Sequence, residues 1–211
     1  MIFTDRREAG RKLGEALGTR PGALVLGIPR GGVIVAAEVA ESIDGRLDVI
    51  VTRKLGAPGN PELGIGAVAE NGTTVLDQRL VSALGVSDQS VAKELARQVE
   101  EIHRRLAVYR RDRPPLEVKG EACIVVDDGV ATGGTAEVAL RSLRRQGAAG
   151  VILAVPVAPQ ESIDRLRAAA DEVVCLASPL PFASVGQWYV TFPQVSDDEV
   201  LAALAASPME R

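Results

Sequence analysis

Short apolar, often β-branched runs recur along the chain: 23–28 (ALVLGI), 47–52 (LDVIVT), 65–70 (IGAVAE), 73–77 (TTVLD), 122–128 (ACIVVDD), 150–157 (GVILAVPV) and 172–177 (EVVCLA). Most show no strict alternation with polar residues, which predicts strands buried on both faces. Helical patterns lie between several of them. Residues 32–43 place Val33, Ala36, Ala37, Val39, Ala40 and Ile43 on one stripe, and 136–147 place Ala139, Leu140 and Leu143 before Gly147, a helix stop. Residues 160–170 repeat the pattern more weakly. Apolar strands joined through helices of about a dozen residues are the signature of a mostly parallel sheet covered on both sides. The expectation is a doubly wound α/β fold.

One longer helix interrupts that rhythm. From 88 to about 111, apolar side chains fall at Val91, Leu95, Val99, Ile102, Leu106 and Tyr109, in steps of three and four. The prolines at 114 and 115 forbid its continuation. His103, the sole histidine, lies on its polar side, so neither a histidine-based triad nor a histidine metal site is expected. No repeat or low-complexity linker divides the chain, and residues 1–211 read as one domain.

Two segments read as loops. Residues 27–33 (GIPRGGV) join the first strand to its helix, and 53–66 (RKLGAPGNPELGIG) carry four glycines and two prolines, a composition that suggests a mobile lid. Composition narrows the ligand. At 211 residues and 46% apolar content the chain can bury a large core, and a net charge of −4 argues against a nucleic-acid surface. The basic run 103–113 is explained by a solvated helix end near its C-terminal dipole. The first 18 residues alternate charge and apolar positions at helical spacing, unlike a signal peptide or membrane span. Cys123 and Cys175 sit in apolar runs as reduced thiols, which suits a cytoplasmic location.

The chemistry concentrates at 123–138 (CIVVDDGVATGGTAEV), where a buried strand runs into Asp127 and Asp128 and then into a loop rich in glycine and threonine. In an open parallel sheet, ligands bind beyond the carboxyl ends of strands, where a loop feeds a helix. Gly129, Gly133 and Gly134 let backbone N–H groups turn toward an anion, the helix start adds its dipole, and Thr132 and Thr135 add hydroxyls. Gly129 and Gly134 have the spacing of a nucleotide P-loop, but Thr135 stands where that motif needs lysine, and no G-x-G-x-x-G occurs. Acids beside a phosphate cradle can accept hydrogen bonds from a sugar diol. The implied ligand is a sugar phosphate.

The stretch IVVDDGVATGGT resembles the signature of type I phosphoribosyltransferases, which use 5-phosphoribosyl-1-diphosphate (PRPP) and Mg²⁺. The resemblance implies that Asp127 and Asp128 hold the ribose hydroxyls and reach the metal through water, PRPP supplying its other ligands. Gly129, Val130, Ala131, Thr132, Gly133, Gly134 and Thr135 would hold the 5-phosphate. Pro29, Arg30, Gly31 and Gly32 resemble the family's diphosphate loop, with a cis peptide expected at Pro29–Arg30. Arg53 and Lys54 would also meet diphosphate, under a lid at about 53–66. The order of these motifs across nearly the whole chain is similar to a bacterial group of phosphoribosyltransferases whose acceptor is generally unassigned.

Arg30, Lys54, Asp127 and Asp128 are thus the expected catalytic set, with Glu62 a candidate acid or base. Ala131 stands where 6-oxopurine enzymes of the family carry an acid, which lowers the expectation for those bases. Four of the six aromatic residues, Phe182, Trp188, Tyr189 and Phe192, fall within 181–192. They suggest a hood over about 178–195, in which Phe182, Trp188 and Tyr189 either stack on a flat acceptor or seal a small subdomain. The resemblance also implies a homodimer, a nitrogen-bearing small-molecule acceptor from nucleotide metabolism, and no nucleic-acid or membrane partner. A PRPP-sensing regulator of the same fold is the alternative.

Overall fold

The computed structural model describes residues 1–111, 113 and 115–207. Asp112 and Pro114, part of the basic run 103–113 and of the expected proline stop, lie outside the described residues.

A five-stranded parallel sheet forms the centre, in the order β2 (Arg46–Val49), β1 (Leu24–Gly27), β6 (Ala122–Val126), β7 (Gly150–Val157), β8 (Glu172–Ala177). Successive residues of a strand serve opposite cores. Val25, Ile124 and Val126 pack with the helices α1 (Arg6–Leu17), α2 (Gly31–Ile43), α4 (Asp88–Tyr109) and α7 (Asp197–Ala206). Leu24, Leu26, Cys123 and Val125 pack with α5 (Gly134–Arg145) and α6 (Gln160–Leu166) on the other face. Burial on both sides explains why these strands read as continuous apolar runs. The doubly wound expectation holds.

From β1 the chain winds to one edge through α2 and β2, whereas from β6 it winds to the other through β7 and β8. Neighbouring β1 and β6 are paired from Leu24 and Cys123 to Gly27 and Val126, so their following loops diverge from one point. This is a topological switch, where a doubly wound sheet opens a crevice.

The segment 53–66 differs from its expectation as an irregular loop. It is a hairpin of β3 (Thr52–Ala57) and β4 (Asn60–Ala69), which joins β5 (Thr74–Leu76) in a separate antiparallel sheet. Glycine, proline and a register shift around Gly56 disguise its alternation, while main-chain pairing holds it. Its base is fixed where Ala67 and Ala69 pack on Val138 of α5, and its turn is exposed. The short helix α3 (Gln78–Ala83) follows β5.

The long helix ends at Tyr109, two residues before the expected limit. His103 is exposed, as its polar position requires. Cys123 and Cys175 are unpaired, and burial pushes the Cys123 thiol up to about 12. Among the described residues no helix is long and apolar enough to cross a membrane.

The last helix, α7, begins in a reciprocal cap: Ser196 accepts from the Glu199 amide while the Glu199 carboxylate accepts from the Ser196 amide. Asp197 in its first turn accepts a 2.5 Å hydrogen bond from the Tyr109 hydroxyl, which ties α7 to α4. Burial and that acidic neighbour raise the phenol to about 12. Tyr109→Phe should lower the unfolding free energy by about 1 kcal/mol in urea titration; an unchanged midpoint would show that this link contributes nothing.

Candidate functional site

The loop after β6 begins with adjacent carboxylates. Asp127 Oδ1 accepts the Asp128 amide at 2.8 Å, which turns the main chain sharply at the strand end. The Val130 amide then donates to Val157 O, and Ser162 Oγ donates to Ala131 O, fixing the loop against β7 and α6. Gly133 caps α5 in the left-handed conformation, at φ 77° and ψ 2°. The first turn of α5 therefore presents unsatisfied N–H groups beside the acid pair, and an added Cβ at Gly134 would meet nothing within 4 Å. Ala131 and Thr132 are exposed at the rim.

The loop after β1 closes on the same acids. The Pro29–Arg30 peptide is cis, as expected, and Gly31 opens α2 immediately afterwards. A Cβ on Gly31 would collide with Asp128 Oδ2, and one on Gly32 would lie 2.8 Å from Val126 O and 2.9 Å from Asp127 Cα. Glycine is required at both positions by the approach of the two loops. Two motifs far apart in sequence become one surface.

A cavity of about 480 Å³ lies against this surface. Of the expected residues, Pro29, Arg30, Gly31, Arg53, Lys54, Glu62, Asp127, Asp128 and Thr135 line it. Gly129 to Gly134 are not among its lining residues; they run from the acids into α5, whose Thr135 does line it, and Gly32 packs against Asp127. Lys54 Nζ is 3.0 Å from Glu62 O and 3.4 Å from Glu62 Oε2, and the Glu62 side chain is 92% exposed at the hairpin. A larger groove, about 1050 Å³, lies between α1, α2 and α7; it has cations (Arg6, Arg7, Arg46) and acids of its own, but no residue of the loop after β1 or of the loop after β6 lines it.

Other lining residues were not singled out from the sequence. Thr52 contributes a buried hydroxyl without a hydrogen-bond partner. Helix α4 contributes Glu94, Arg97 and Gln98. Gln98 Oε1 accepts from Arg53 Nε at 2.9 Å, while Glu94 accepts from Gln98 and is gripped by Arg97 through two 2.8 Å bonds. Those bonds, chiefly from Arg97, lower the Glu94 carboxyl, whereas burial and the nearby Arg105 lower the Arg53 guanidinium. The signal for this wall was present: Glu94 and Gln98 adjoin the apolar stripe of a helix otherwise polar on its outer side.

Tyr189 lies behind the site, buried, with Phe192 stacked at 4.8 Å and Phe3 tilted at 5.5 Å. Its hydroxyl donates to Asp128 O at 2.6 Å. Burial raises this phenol well above its ordinary value, and the acid pair adds to the effect. Of the three residues expected to stack on an acceptor, Tyr189 is thus engaged within the protein, while half-buried Phe182 and Trp188 stack on each other at 6.3 Å. Val185 of the same segment fills the space that a side chain at Gly129 would need.

The acid pair has limited capacity for a metal. Asp128 Oδ2 receives Arg6 Nε at 2.7 Å and Asp127 Oδ1 receives a main-chain amide. Among the described residues no cluster of three or more His, Cys, Asp or Glu is placed to hold a metal ion. Two neighbouring carboxylates fit a hard cation that draws most of its oxygen ligands from a phosphorylated ligand and water.

Burial, followed by the charge on Asp128, pushes the Asp127 carboxyl well above the usual carboxylate range. Asp128 is also raised by burial, with Arg6 opposing the rise. An acid raised on folding makes the native state bind more protons, so its contribution to stability declines as pH climbs through the interval between its unfolded and folded values. Asp127→Asn, which keeps the acceptor for the Asp128 amide, should therefore melt above wild type at pH 7.5. The gap should close near pH 3.5, where the unfolded aspartate is also largely protonated; a gap that widens on acidification would contradict the assignment.

Comparison with known proteins matches residues 12–187 to the family model of the phosphoribosyl transferase domain. Over 205 residues, 96% of the chain, it is 45% identical to a protein of Mycobacterium tuberculosis, strains CDC 1551 and H37Rv, whose name places it among the phosphoribosyl transferases. That alignment covers 46% of the relative, so the chain spans about half the length of the curated relatives it matches. The crystal structure of TT1426 from Thermus thermophilus has a TM-score of 0.82 and 46% identity, covering 98% of this chain and 99% of that one.

Proposed function

The chain belongs to the phosphoribosyltransferase family, and from that premise we propose that it transfers the 5-phosphoribosyl group of PRPP to a nitrogen atom of a small heterocycle, releasing diphosphate. The observation that carries this reading is the cavity that Arg30, Arg53, Lys54, Asp127, Asp128 and Thr135 line together. Cations suited to a leaving diphosphate, acceptors suited to a diol and the first turn of α5, suited to a monoester, line the same cavity.

In the proposed reaction the bond from ribose C1 to the diphosphate oxygen breaks, its electron pair leaves with diphosphate, and the acceptor nitrogen bonds to C1 as its proton is lost. Positive charge grows on the sugar and negative charge on the leaving group. Arg30 and Lys54 face the second of these, and stabilisation that increases as charge develops is what lowers a barrier. Gln98 holds Arg53 ready at the wall. Asp127 and Asp128 orient the pentose by accepting hydrogen bonds from its hydroxyls, and of the expected loop 129–135 the amides of 131–135 hold the 5-phosphate, that of buried Val130 being already bonded to Val157 O. Mg²⁺, bound with PRPP and reached by the two acids through water, would neutralise part of the diphosphate charge.

The hairpin carrying Arg53, Lys54 and Glu62 is the proposed lid, anchored at its Ala67–Ala69 base and exposed at its turn. Closure would exclude water that otherwise hydrolyses the activated sugar. Glu62 rides on that lid and is the proposed proton acceptor, delivered to the acceptor nitrogen only on closure. Phe182 and Trp188, which stack on each other and are not among the residues lining the cavity, are the proposed surface for a flat acceptor.

Diphosphate release from PRPP, measured with a panel of purines, pyrimidines and smaller nitrogen heterocycles, tests the reading: turnover with one base class is expected. PRPP binding without turnover, accompanied by electrophoretic shifts of RNA or DNA, would instead indicate a regulator. Arg30→Ala should slow transfer by about 100-fold, the scale of one lost charge-stabilising contact, with ribose-5-phosphate affinity nearly unchanged by calorimetry. Equal loss for rate and for ribose-5-phosphate would remove Arg30 from the diphosphate site.

A further inference from the structure

Arg6 is the first residue of α1, held there by Asp5, whose carboxylate caps the helix through the Glu8 amide at 2.8 Å. A cation in the first helical turn opposes the helix dipole, so local stability gives no reason for arginine at this position. Nor is it a solvated surface charge, since its side chain is 9% exposed. Its guanidinium instead makes three separate contacts. Nε donates to Asp128 Oδ2 at 2.7 Å, Nη1 donates to Pro193 O at 2.8 Å, and Cζ stands 3.7 Å from the centre of the Phe192 ring. Phe192 stacks on Tyr189, whose hydroxyl returns to Asp128 O.

These contacts form a closed circuit around one carboxylate. Arg6 holds the side chain of Asp128 and Tyr189 holds its main chain, while Phe192 lies between the two. From this geometry we infer that Arg6 is a positioning residue: it fixes the rotamer of Asp128, supplies the counter-charge that lets two adjacent acids share the site, and leaves Oδ1 of Asp128 to receive the pentose. The inference rests on the transferase reading above. It also gives the C-terminal aromatic segment a role apart from acceptor stacking, because Phe192 and the Pro193 carbonyl define where the guanidinium plane lies. Only arginine offers Nε and Nη donors in a fixed planar fork; lysine keeps the charge and the aliphatic stem but concentrates its donors at one atom.

The test is a double-mutant cycle read by PRPP calorimetry in the presence of Mg²⁺, using wild type, Arg6→Met, Asp128→Asn and the combined variant, with melting curves for each. Arg6→Met alone should weaken PRPP by about tenfold or more, and the same change in the Asp128→Asn background by less than about twofold, since a residue acting through Asp128 has little left to position. Arg6→Lys, which preserves charge and packing, should lose less than Arg6→Met and supplies the comparison if the methionine variant folds poorly. Wild-type affinity in Arg6→Met, or equal losses in both backgrounds, would overturn the inference. A folded wild type that binds no PRPP would overturn the transferase reading itself, an outcome distinct from a wild type that binds and a cycle that is additive.

Discussion

Two acidic side chains on consecutive residues, brought out of water at the end of a buried strand, are the constraint around which this molecule is arranged. Burial raises both carboxyls; the charge on Asp128 adds to the rise at Asp127, while Arg6, hydrogen-bonded to Asp128, opposes the rise there. Such a pair persists only when something else stabilises the fold around it, and the parallel sheet does so. The strand leading into the acids, β6, is paired on both sides and covered on both faces. The acids sit where β1 and β6 send their loops apart, which places the cis Pro29–Arg30 turn directly against them.

The groups around that point are held from different elements. The acids and the start of α5 are fixed by the central sheet, by Tyr189 and by Ser162. The cations approach from separate elements. Arg53 is braced by Gln98 from α4, Lys54 pairs with Glu62 on an exposed hairpin, and Arg30 stands 4.0 Å from Asp197 of α7. Under the proposed function, this arrangement would hold a pentose still while its leaving group is enclosed and released. The long helix, outside the alternating rhythm of the chain, forms a wall of the cavity rather than an appendage.

Much of this was legible in the sequence because the informative contacts are local. All seven apolar runs correspond to strand segments; in β1, β6 and β7 burial on both faces leaves the unbroken signature, whereas β4 and β5 pair in the separate antiparallel sheet and are buried only in part. The acid pair and glycine-rich turn lie within a dozen residues, and Pro29–Gly32 run into a helix whose periodicity is clear. The hairpin was hidden because its order comes from main-chain pairing across a register shift. Arg6 could not be identified from its surroundings: its partner lies 122 positions away, and nothing in TDRREAG indicates what the first turn of α1 faces. Helix α7 did carry a readable signal, the Ser196 and Glu199 capping box ahead of Val200 and Leu204. Tyr189 was legible as an aromatic but not as a brace, because only the fold reveals which atoms its hydroxyl meets.

The claim on which the account turns is that one ligand spans the loops after β1 and β6. A crystal structure of the protein soaked with PRPP and Mg²⁺ addresses it directly. The account predicts the monoester on the amides of 131–135, the diol on Asp127 and Asp128, and the diphosphate beside Arg30. Density in the groove between α1, α2 and α7, with the 480 Å³ cavity left to solvent, would contradict it.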